Sequence, residues 1–365
     1  MAPTDATLVL RRPSARPPVA GETVTPKTVT VKTETRTAVM RALLQTGRGG
    51  PAQLTLVEDR PRPTAGPGEY LIRVTAAGLN FADVMQTHGS YHGGPHAPYV
   101  AGFEVAGEII AVGPGIDAPL PVGTSVLGSA PGAFAEFATV SAAEALVIPD
   151  GWSSAESLGM VLNWATALAA VWPLGQVGAG DVVLVHAAAG GVGQAAVRLA
   201  RHYGATVIAA ASPIKHDVLR DLGAHAVLDS RGPDLERRIR EIAGDGVDVV
   251  LESVGRATLD VSLRVAKPIV GRVVVFGAAS GMASVTTDDL VFHHPVQLKG
   301  LHIGRLAVSV PQLYAELIDE LQVLRKAGVY PPGRPQVHAL ADGPEVLCRL
   351  GDGMTHGKHA LDPRL

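Results

Sequence analysis

The chain has 365 residues, 47% of them hydrophobic, and a formal net charge of −3 at neutral pH. This length suggests two domains, and the composition suffices for two apolar cores. The nearly balanced charge gives no field for a polyanion, and no basic run is long enough for a nucleic-acid or membrane surface. The one cysteine, Cys348, excludes an intrachain disulfide and a multi-cysteine zinc cluster, which predicts a reducing, cytoplasmic location.

The first 36 residues differ in composition from the rest of the chain. They are rich in Thr, Pro and Arg, contain the alternating run TVTVKTET, and lack the apolar core of a secretion signal. We interpret residues 1–36 as an N-terminal extension that is disordered or loosely attached.

From Met40 the sequence has the pattern of a β-rich domain. Short strand-like runs such as EYLIRVTAAGL and FEVAGEIIAVG are separated by Pro and Gly turns, with few helix signals before Ala155. The segment AESLGMVLNWATALAAVW, ended by Pro173, predicts a linking helix. Its apolar stretch carries Asn163 and is shorter than the roughly 20 residues that span a bilayer, so we expect a packed helix.

The segment from Val182 to Ser212 predicts a strand, a glycine turn, a helix and a second strand. The turn between strand and helix matches the dinucleotide fingerprint G-x-G-x-x-G except at its first position, which is Ala188. In that fingerprint Gly190 leaves room for a pyrophosphate and Gly193 lets helix and strand pack closely. The candidate dinucleotide contacts are Ala188, Gly190, Gly191, Val192 and Gly193. The alternative is a cofactor-free scaffold in which the glycines only close a turn.

The end of the second strand indicates which dinucleotide is bound. Proteins that select NAD usually carry Asp or Glu about 20 residues beyond the turn. No acidic residue occurs from Gln194 to His216. Ser212 and Lys215 instead offer a hydroxyl and a cation suited to a 2′-phosphate, which favours NADPH. The alternative is that Lys215 is a solvated charge at the start of a helix.

After the second strand, helical and strand-like segments continue to alternate. They include KHDVLRDLG, DLERRIREIAG, VDVVLESVG and GRVVVFGAASG, and VQLKGLHIG supplies a further strand. Such alternation predicts a parallel, doubly wound α/β sheet.

Several segments together resemble a known superfamily over nearly all of residues 38–365. They are AAGLNFADVMQTHGSY, GFEVAGEIIAVGPG, PGAFAEFATV, VLVHAAAGGVG and VDVVLESVG. The chain is similar in them to the medium-chain dehydrogenases/reductases, and among these to the zinc-free quinone oxidoreductases of the zeta-crystallin type and the enoyl reductase domains of polyketide synthases.

The resemblance implies a Rossmann domain inserted in a GroES-like β-rich domain, with the active site in the cleft between them. We place the catalytic domain at 37–162, the NADPH-binding Rossmann domain at 163–304, and the return to the catalytic domain at 305–365. The resemblance also makes the first 39 residues an addition, and likens VQLKGLHI to an edge strand that pairs across a two-fold axis. We therefore expect a homodimer.

The chain departs from the zinc-dependent alcohol dehydrogenases of the same superfamily. Where those enzymes carry a zinc-ligating His and Cys, this chain has Phe103 and Asn80, so we predict that it binds no metal. Without a Lewis acid, simple alcohols are poor substrates. Hydride addition to a quinone, enone or enoyl thioester is easier, because the resulting oxyanion is already delocalised.

Candidate catalytic residues come from the same resemblance. Asn80, Asp83 and Tyr91 match positions that line the family's cleft, and Tyr91 matches a tyrosine implicated in catalysis by enoyl thioester reductases. Thr166 matches a threonine beside the nicotinamide. Tyr91 could equally be a half-buried aromatic, Thr166 an ordinary helix residue, and Asp83 a structural residue that holds its loop.

Relatives also place a Tyr in the 2′-phosphate pocket where this chain has Ser230, followed by Arg231. Gly277, after the strand GRVVVF, is a further candidate cofactor contact. The histidines His88, His92 and His96 lie in a Gly- and Pro-rich loop without a helix to align them, which disfavours a metal site.

Two classes of function stay open from the sequence. The first is an NADPH-dependent, zinc-independent reductase that acts on a small conjugated carbonyl compound or quinone. The second is an NADPH-binding protein of the same fold with little turnover.

Overall fold

Residues 38–365 are described by a computed structural model, and the extension expected at 1–36 lies outside them. The strands are β1 (Val39–Gln45), β2 (Leu54–Pro61), β3 (Glu69–Leu79), β4 (Tyr99–Val100), β5 (Glu104–Val112), β6 (Ser125–Ser129), β7 (Phe137–Ser141), β8 (Leu146–Val147), β9 (Val182–Val185), β10 (Thr206–Ala211), β11 (Ala226–Asp229), β12 (Val249–Glu252), β13 (Arg272–Val275), β14 (Gln297–Gly300), β15 (Gln336–Ala339) and β16 (His359–Asp362). The α-helices are α1 (Phe81–Thr87), α2 (Ser154–Ser157), α3 (Ala165–Ala169), α4 (Gly191–His202), α5 (His216–Asp221), α6 (Leu235–Ala243), α7 (Leu259–Val265), α8 (Ile303–Ser309), α9 (Pro311–Lys326) and α10 (Gly343–Gly351).

The β-rich region contains two sheets. One has the order β2-β1-β4, and the other runs β15-β16-β3-β5-β6-β8, with β7 also paired to β3. The end of the chain thus returns to the sheet of the N-terminal half, with Leu361 of β16 opposite Ala77 of β3. The α/β region is therefore an insertion, as the resemblance implied.

The inserted region is a parallel six-stranded sheet with the order β11-β10-β9-β12-β13-β14. Its central strands read VVLV, TVIAAA and VVLE and are almost wholly buried, as expected for a sheet covered by helices on both faces. The strand order reverses between β9 and β12. Ligands of open α/β sheets bind at the carboxyl ends of the strands beside this reversal. The predicted fold class is confirmed.

The segment predicted as one linking helix is a helical run with a break. Leu158 is extended, with ψ of 146°, and Gly159 takes a φ of 95° that favours glycine. Helix resumes with π-helical turns at Met160–Trp164 and Ala170–Leu174 on either side of α3, and Trp172 within the second turn is extended, with φ of −151° and ψ of 128°. By length and hydropathy the 21 residues of Ser154–Leu174 could span a membrane, but 72% of their apolar window is buried inside the fold. The run packs as a core helix, as predicted.

Helix α9 packs against α3 and contributes Leu317 and Leu321 to the core that contains α4. The strands β15 and β16 that follow belong to the other sheet. The domain boundaries drawn from the sequence stay a prediction.

Candidate active site

The predicted dinucleotide turn lies at the carboxyl end of β9, beside the reversal of strand order. Ala187 adopts a φ of 47°, and the N–H of Gly190 donates to its carbonyl oxygen at 3.0 Å, which closes the turn. Ala188 is fully buried, and its N–H donates to the carbonyl of Ala210 on β10 at 3.1 Å. A Cβ at Gly193 would lie 2.5 Å from the Ala187 oxygen, so a glycine is needed for α4 to pack this closely on the strand.

Helix α4 begins directly after this turn. The N–H of Gln194 donates to the Gly190 carbonyl at 2.9 Å. The earlier N–H groups of Gly191, Val192 and Gly193 have no acceptor within the helix. These amides and the positive end of the helix dipole favour a phosphate group. The turn therefore fits the pyrophosphate of a dinucleotide.

The residues predicted to contact a 2′-phosphate lie where β10 and β11 end. Ala211 pairs with Asp229 at the ends of these strands, and the N–H of Ser230 donates to the Ala211 carbonyl at 3.0 Å. Ser212 and Ser230 are thus on neighbouring strand ends. Lys215 follows in a 3-10 turn, where its N–H donates to the Ser212 carbonyl at 2.9 Å.

Two cations complete this cluster. Burial lowers the pKa of Lys215, and the positive charge of Arg231 lowers it further. The Nζ of Lys215 donates to the Gly353 carbonyl at 2.6 Å, and a Cβ at Gly353 would lie 3.8 Å from Nη2 of Arg231. A phosphate accepting from both side chains would relieve their mutual repulsion, so the cluster fits a 2′-phosphate.

Two further glycines lie at the carboxyl end of the parallel sheet, one beside the turn and one in the loop after β13. The N–H of Gly357, in the tail before β16, donates to the Ala189 carbonyl at 2.8 Å. A Cβ at Gly277 would lie 2.6 Å from the carbonyl oxygen of Ser253, so a glycine is needed where the loops after β12 and β13 pack together. The structure thus places Gly277 at the carboxyl edge of the same sheet.

Asn80 precedes α1 and is held by four hydrogen bonds. Its Nδ2 donates to the Gly78 carbonyl at 3.2 Å and to Oε2 of Glu104 at 2.9 Å. Its Oδ1 accepts from Nζ of Lys358 at 2.7 Å and from Nδ2 of Asn163 at 3.2 Å. An amide side chain has two N–H groups and two lone pairs, so all of them are used. For Asn80 to donate to a substrate oxygen, its Nδ2 would have to give up the hydrogen bond to Gly78 or to Glu104.

Glu104 and Lys358 form a buried ion pair that the sequence did not single out. Glu104 is 1% exposed, and its second oxygen accepts the N–H of Gly159 at the break in the helical run. A buried carboxylate is retained only when it is paired and hydrogen-bonded, as it is here. The sequence Gly102-Phe103-Glu104 could have indicated this ion pair, because a charged residue at the start of a buried strand needs a partner of opposite charge.

Asn163 links the loop of Asn80 to the glycine turn before α4. Its amide donates to Asn80, and a Cβ at Gly191 would lie 3.2 Å from it. Its Oδ1 is buried without a partner, next to the start of α4, which leaves an acceptor for a bound dinucleotide. Thr166 is 6% exposed and lies three residues further along the run, on the same helical side. The structure thus brings Asn80, Asn163 and the turn together, and places Thr166 in the helix that follows Asn163.

Asp83 stabilises the start of α1. Its Oδ2 accepts the N–H of Asn80 at 2.8 Å, and its Oδ1 is buried without a partner. Burial raises the pKa of Asp83 to about 8, although the Asn80 N–H and the charge of Lys358 act to lower it. These contacts are those of a residue that holds its loop.

Tyr91 lies in the loop after α1 and reaches the other domain. Its Oη is 3.0 Å from Nε2 of His302, which follows β14. Burial raises the pKa of Tyr91, and the charge of Asp83 raises it further. Nothing near His302 in the sequence marked it as a partner of Tyr91.

The loop histidines do not converge. The ring of His88 lies against Gly50, while His92 and His96 are exposed. Within residues 38–365, no group of three or more His, Cys, Asp or Glu side chains is arranged to hold a metal ion.

A cavity of about 490 Å³ opens between α1, α10 and the loop after β13. Its apolar walls include Phe81, Met85, Met282 and Leu347. Its lining also includes Ser90, the neighbour of Tyr91, but not Tyr91, Asn80 or Thr166 themselves. The cavity thus includes the chain neighbours of Asn80 and Tyr91, namely Phe81 and Ser90, and has room for an apolar group.

Two family models match the chain. Residues 66–150 match the alcohol dehydrogenase GroES-like domain, and residues 191–322 match the zinc-binding dehydrogenase model. The chain is 36% identical over 307 residues to a mycocerosic acid synthase-like polyketide synthase of Mycobacterium tuberculosis, covering 83% of this chain but only 14% of the synthase. It is 35% identical over 345 residues to the human synaptic vesicle membrane protein VAT-1 homolog, covering 89% of this chain and 87% of that protein.

Solved structures with the same fold include oxidoreductases. A mycobacterial Rv1454c structure complexed with NADPH is 33% identical with a TM-score of 0.83, covering 89% of this chain and all of that one. Escherichia coli quinone oxidoreductase complexed with NADPH is 28% identical with a TM-score of 0.82, covering 88% of this chain and all of that one. The CurK enoyl reductase is 29% identical with a TM-score of 0.79, covering 88% of this chain and 99% of that one.

Proposed function

The chain belongs to the medium-chain dehydrogenase/reductase family, in the branch of quinone oxidoreductases and polyketide-type enoyl reductases, and we propose that it is an NADPH-dependent, zinc-independent reductase of conjugated acceptors. The acceptor class is a quinone, an enone or an enoyl thioester. The observation that carries the proposal is the position of Asn163, which donates to Asn80 and lies against Gly191 at the start of α4. Asn163 thereby joins the dinucleotide turn to the segment that runs from Asn80 to the hydroxyl of Tyr91.

The cofactor assignment rests on the chemistry of the donor set. The turn offers a pyrophosphate the N–H groups of Val192 and Gly193, which have no acceptor within the helix, and Ser212, Lys215, Ser230 and Arg231 offer hydroxyls and two cations to a 2′-phosphate. NADPH, when bound, supplies a hydride. The chain's own residues then have to position the acceptor and manage the charge that develops on its oxygen.

Zinc independence is supported by Phe103 and Asn80, which stand where the zinc-dependent alcohol dehydrogenases carry a His and a Cys ligand. Phe103 cannot ligate a metal, and Asn80 is hydrogen-bonded to Lys358 and Glu104. The ammonium of Lys358 next to Asn80 is already paired with the carboxylate of Glu104, so this position offers no free charge in place of a metal. A conjugated acceptor needs less stabilisation than an alkoxide, because its oxyanion is delocalised.

The test is NADPH oxidation by the purified protein with a small panel of quinones, enones and enoyl thioesters. We expect stoichiometric consumption of NADPH with at least one member. Dialysis against a strong chelator should leave the rate unchanged. Binding of NADPH without turnover on any acceptor would support the alternative, a cofactor-binding protein, and activity that is lost on chelation and restored by zinc would refute zinc independence.

Tyr91 provides a second test within the same panel. Reduction of an enone leaves an enolate that must be protonated, whereas the hydroquinone oxygens can be protonated by water. A positioned proton donor contributes about 10²- to 10⁴-fold to a rate that depends on it. We therefore expect Tyr91→Phe to lower kcat on enones or enoyl thioesters by about this factor, and to spare quinones and NADPH affinity. An unaltered enone rate in a folded variant would instead point to Asn80 and Thr166.

A further inference from the structure

The pair formed by Tyr91 and His302 spans the two domains. Tyr91 is in the loop after α1, whereas His302 follows β14 and directly precedes α8. The distance from Oη of Tyr91 to Nε2 of His302 is 3.0 Å, and the ring centroids are 5.6 Å apart. The two rings are tilted by 50°, so they meet through this polar contact rather than by stacking.

A second hydrogen bond fixes which nitrogen of His302 carries hydrogen. The backbone N–H of Arg305 donates to Nδ1 of His302 at 3.2 Å, and His302 thereby caps α8. A backbone N–H is always a donor, so Nδ1 must offer a lone pair. The hydrogen of the neutral imidazole is then on Nε2, which faces the hydroxyl of Tyr91.

We propose that His302 is a positioning residue for proton donation by Tyr91. With Nε2–H donating to Oη, the hydroxyl hydrogen of Tyr91 must point away from His302 and is free for an acceptor. The same N–H stabilises the phenolate that remains once the proton has left, since hydrogen bonds to charged groups are the stronger ones. This inference rests on the proposed reductase function.

His302 assists the protonation step of the reduction. A hydride adds to the β-carbon of the acceptor, the electron pair of the carbon–carbon double bond moves into an enolate, and NADPH is oxidised to NADP⁺. The O–H bond of Tyr91 breaks as its proton forms a C–H bond at the α-carbon of the enolate. The phenolate, held by His302, then takes a proton from solvent.

Two substitutions separate the two hydrogen bonds of His302. In His302→Asn the amide oxygen can replace Nδ1 as acceptor for Arg305, and Asn is a good helix cap, but nothing reaches Tyr91. In His302→Gln the longer amide can replace Nε2 as the donor to Tyr91. We expect His302→Asn to lower kcat on an enone about tenfold and to spare a quinone, with His302→Gln closer to the wild type. Tenfold corresponds to about 1.4 kcal/mol, just below the range for one hydrogen bond to a charged group.

A double-mutant cycle with Tyr91→Phe distinguishes positioning from a structural role. If His302 acts through Tyr91, then adding His302→Asn to Tyr91→Phe should change the enone rate no further. Additive losses, equal losses on enone and quinone, or an unchanged enone rate in His302→Asn would overturn the proposal. So would a His302→Gln rate below that of His302→Asn, because it would assign the effect to the helix cap.

A spectroscopic measurement keeps this inference separate from the proposed function. Tyr91 is one of six tyrosines, so its fluorine resonance in 3-fluorotyrosine-labelled protein can be assigned by comparison with Tyr91→Phe. Asp83, whose charge also raises the pKa of the Tyr91 phenol, is the same in all these variants. We expect the phenol to ionise about one pH unit higher in His302→Asn than in the wild type. An unchanged titration would refute the hydrogen bond, whereas a wild type without turnover would refute only the reductase function.

Discussion

Lys215 is the residue on which the choice of cofactor depends most. Its ammonium is partly buried, lies near Arg231, and is held by the carbonyl of Gly353. We expect Lys215→Glu to lose about 1.5–3 kcal/mol of NADPH binding, the range for a hydrogen bond to a charged group. NADH binding should change little, because NADH has no 2′-phosphate. Fluorescence titration with both cofactors measures the difference.

Arg220→Glu is a matched control for this substitution. Arg220 lies on α5, one turn beyond Lys215, is exposed, and pairs with Asp217. Its replacement changes the net charge by the same amount at an exposed side chain outside the phosphate cluster, so we expect at most a small effect on NADPH binding. Equal kcat/KM for NADPH and NADH in the wild type would defeat the assignment to Lys215.

Single residues could be predicted where the backbone dictates them. Gly193 was predicted because the fingerprint needs close packing of helix on strand, and a Cβ there would indeed meet the preceding turn. The partners of Asn80 and Tyr91 could not be predicted, because His302 is 211 residues from Tyr91 and Lys358 is 278 from Asn80. Local pattern carries no information about which distant side chains a fold brings within 3 Å.

At the scale of elements, the start of α1 is stabilised by a carboxyl group that titrates near neutrality. Asp83 has a folded-state pKa of about 8 and a usual value of 3.8, so between these values the folded state holds a proton that the unfolded state has released. The free energy of unfolding therefore falls as pH rises through this window, by up to about 1.4 kcal/mol per pH unit. In Asp83→Asn this dependence is absent. We expect the variant to gain stability relative to the wild type between pH 5 and pH 8 in urea unfolding.

The wild type and Asp83→Asn share all other titrating groups, so the contributions of those groups cancel in the difference between their free energies of unfolding. Asp217→Asn, at a side chain that is 93% exposed, serves as the control and should show no such relative gain. A constant difference between wild type and Asp83→Asn at the two pH values would contradict a proton on Asp83 in the folded state.

The helical run shows why an element can be predicted while its shape is not. The apolar periodicity of AESLGMVLNWATALAAVW indicates a buried helix, and residues 160–171 are helical up to the extended Trp172 before Pro173. The glycine in this segment, Gly159, takes a positive φ, and its N–H donates to Glu104. Whether a glycine within an apolar helix is tolerated or breaks it depends on a tertiary partner, here the carboxylate of Glu104 on β5.

At the scale of the whole molecule, alternation of strands and helices sufficed to predict the parallel sheet. The pairing of the C-terminal strand with the N-terminal sheet could not be predicted in this way. Strand β16 pairs with β3 across nearly the whole chain, and only the family resemblance indicated it. Pairing over such a separation has no local signal, because the strand HALD is short and its partner is decided by the topology.

The homodimer expected from the sequence would form at one edge of the parallel sheet, strand β14. β14 pairs with β13 on one side. The N–H groups of Gln297 and Leu301 donate to carbonyls at the two ends of β13. Because successive N–H groups of a strand point to opposite sides, the N–H of Leu298 points to the open edge. Nearby Phe292 is 75% exposed and Val291 is 61% exposed, which leaves an apolar surface beside this edge. Such an edge invites pairing with a second copy across a two-fold axis.

Substitutions at Leu298 test this pairing. Leu298→Pro removes the outward N–H, while Leu298→Ala keeps it and shortens a side chain that is only 37% exposed. We expect the wild type and Leu298→Ala to be dimers in light scattering at micromolar concentration, and Leu298→Pro to be a monomer with an unchanged circular dichroism spectrum. The Tyr91–His302 contact is within one chain, so a monomeric Leu298→Pro protein should keep its enone activity if β14 stays in place. A strictly monomeric wild type would count against the dimer, and a dimeric Leu298→Pro protein would move the interface away from β14.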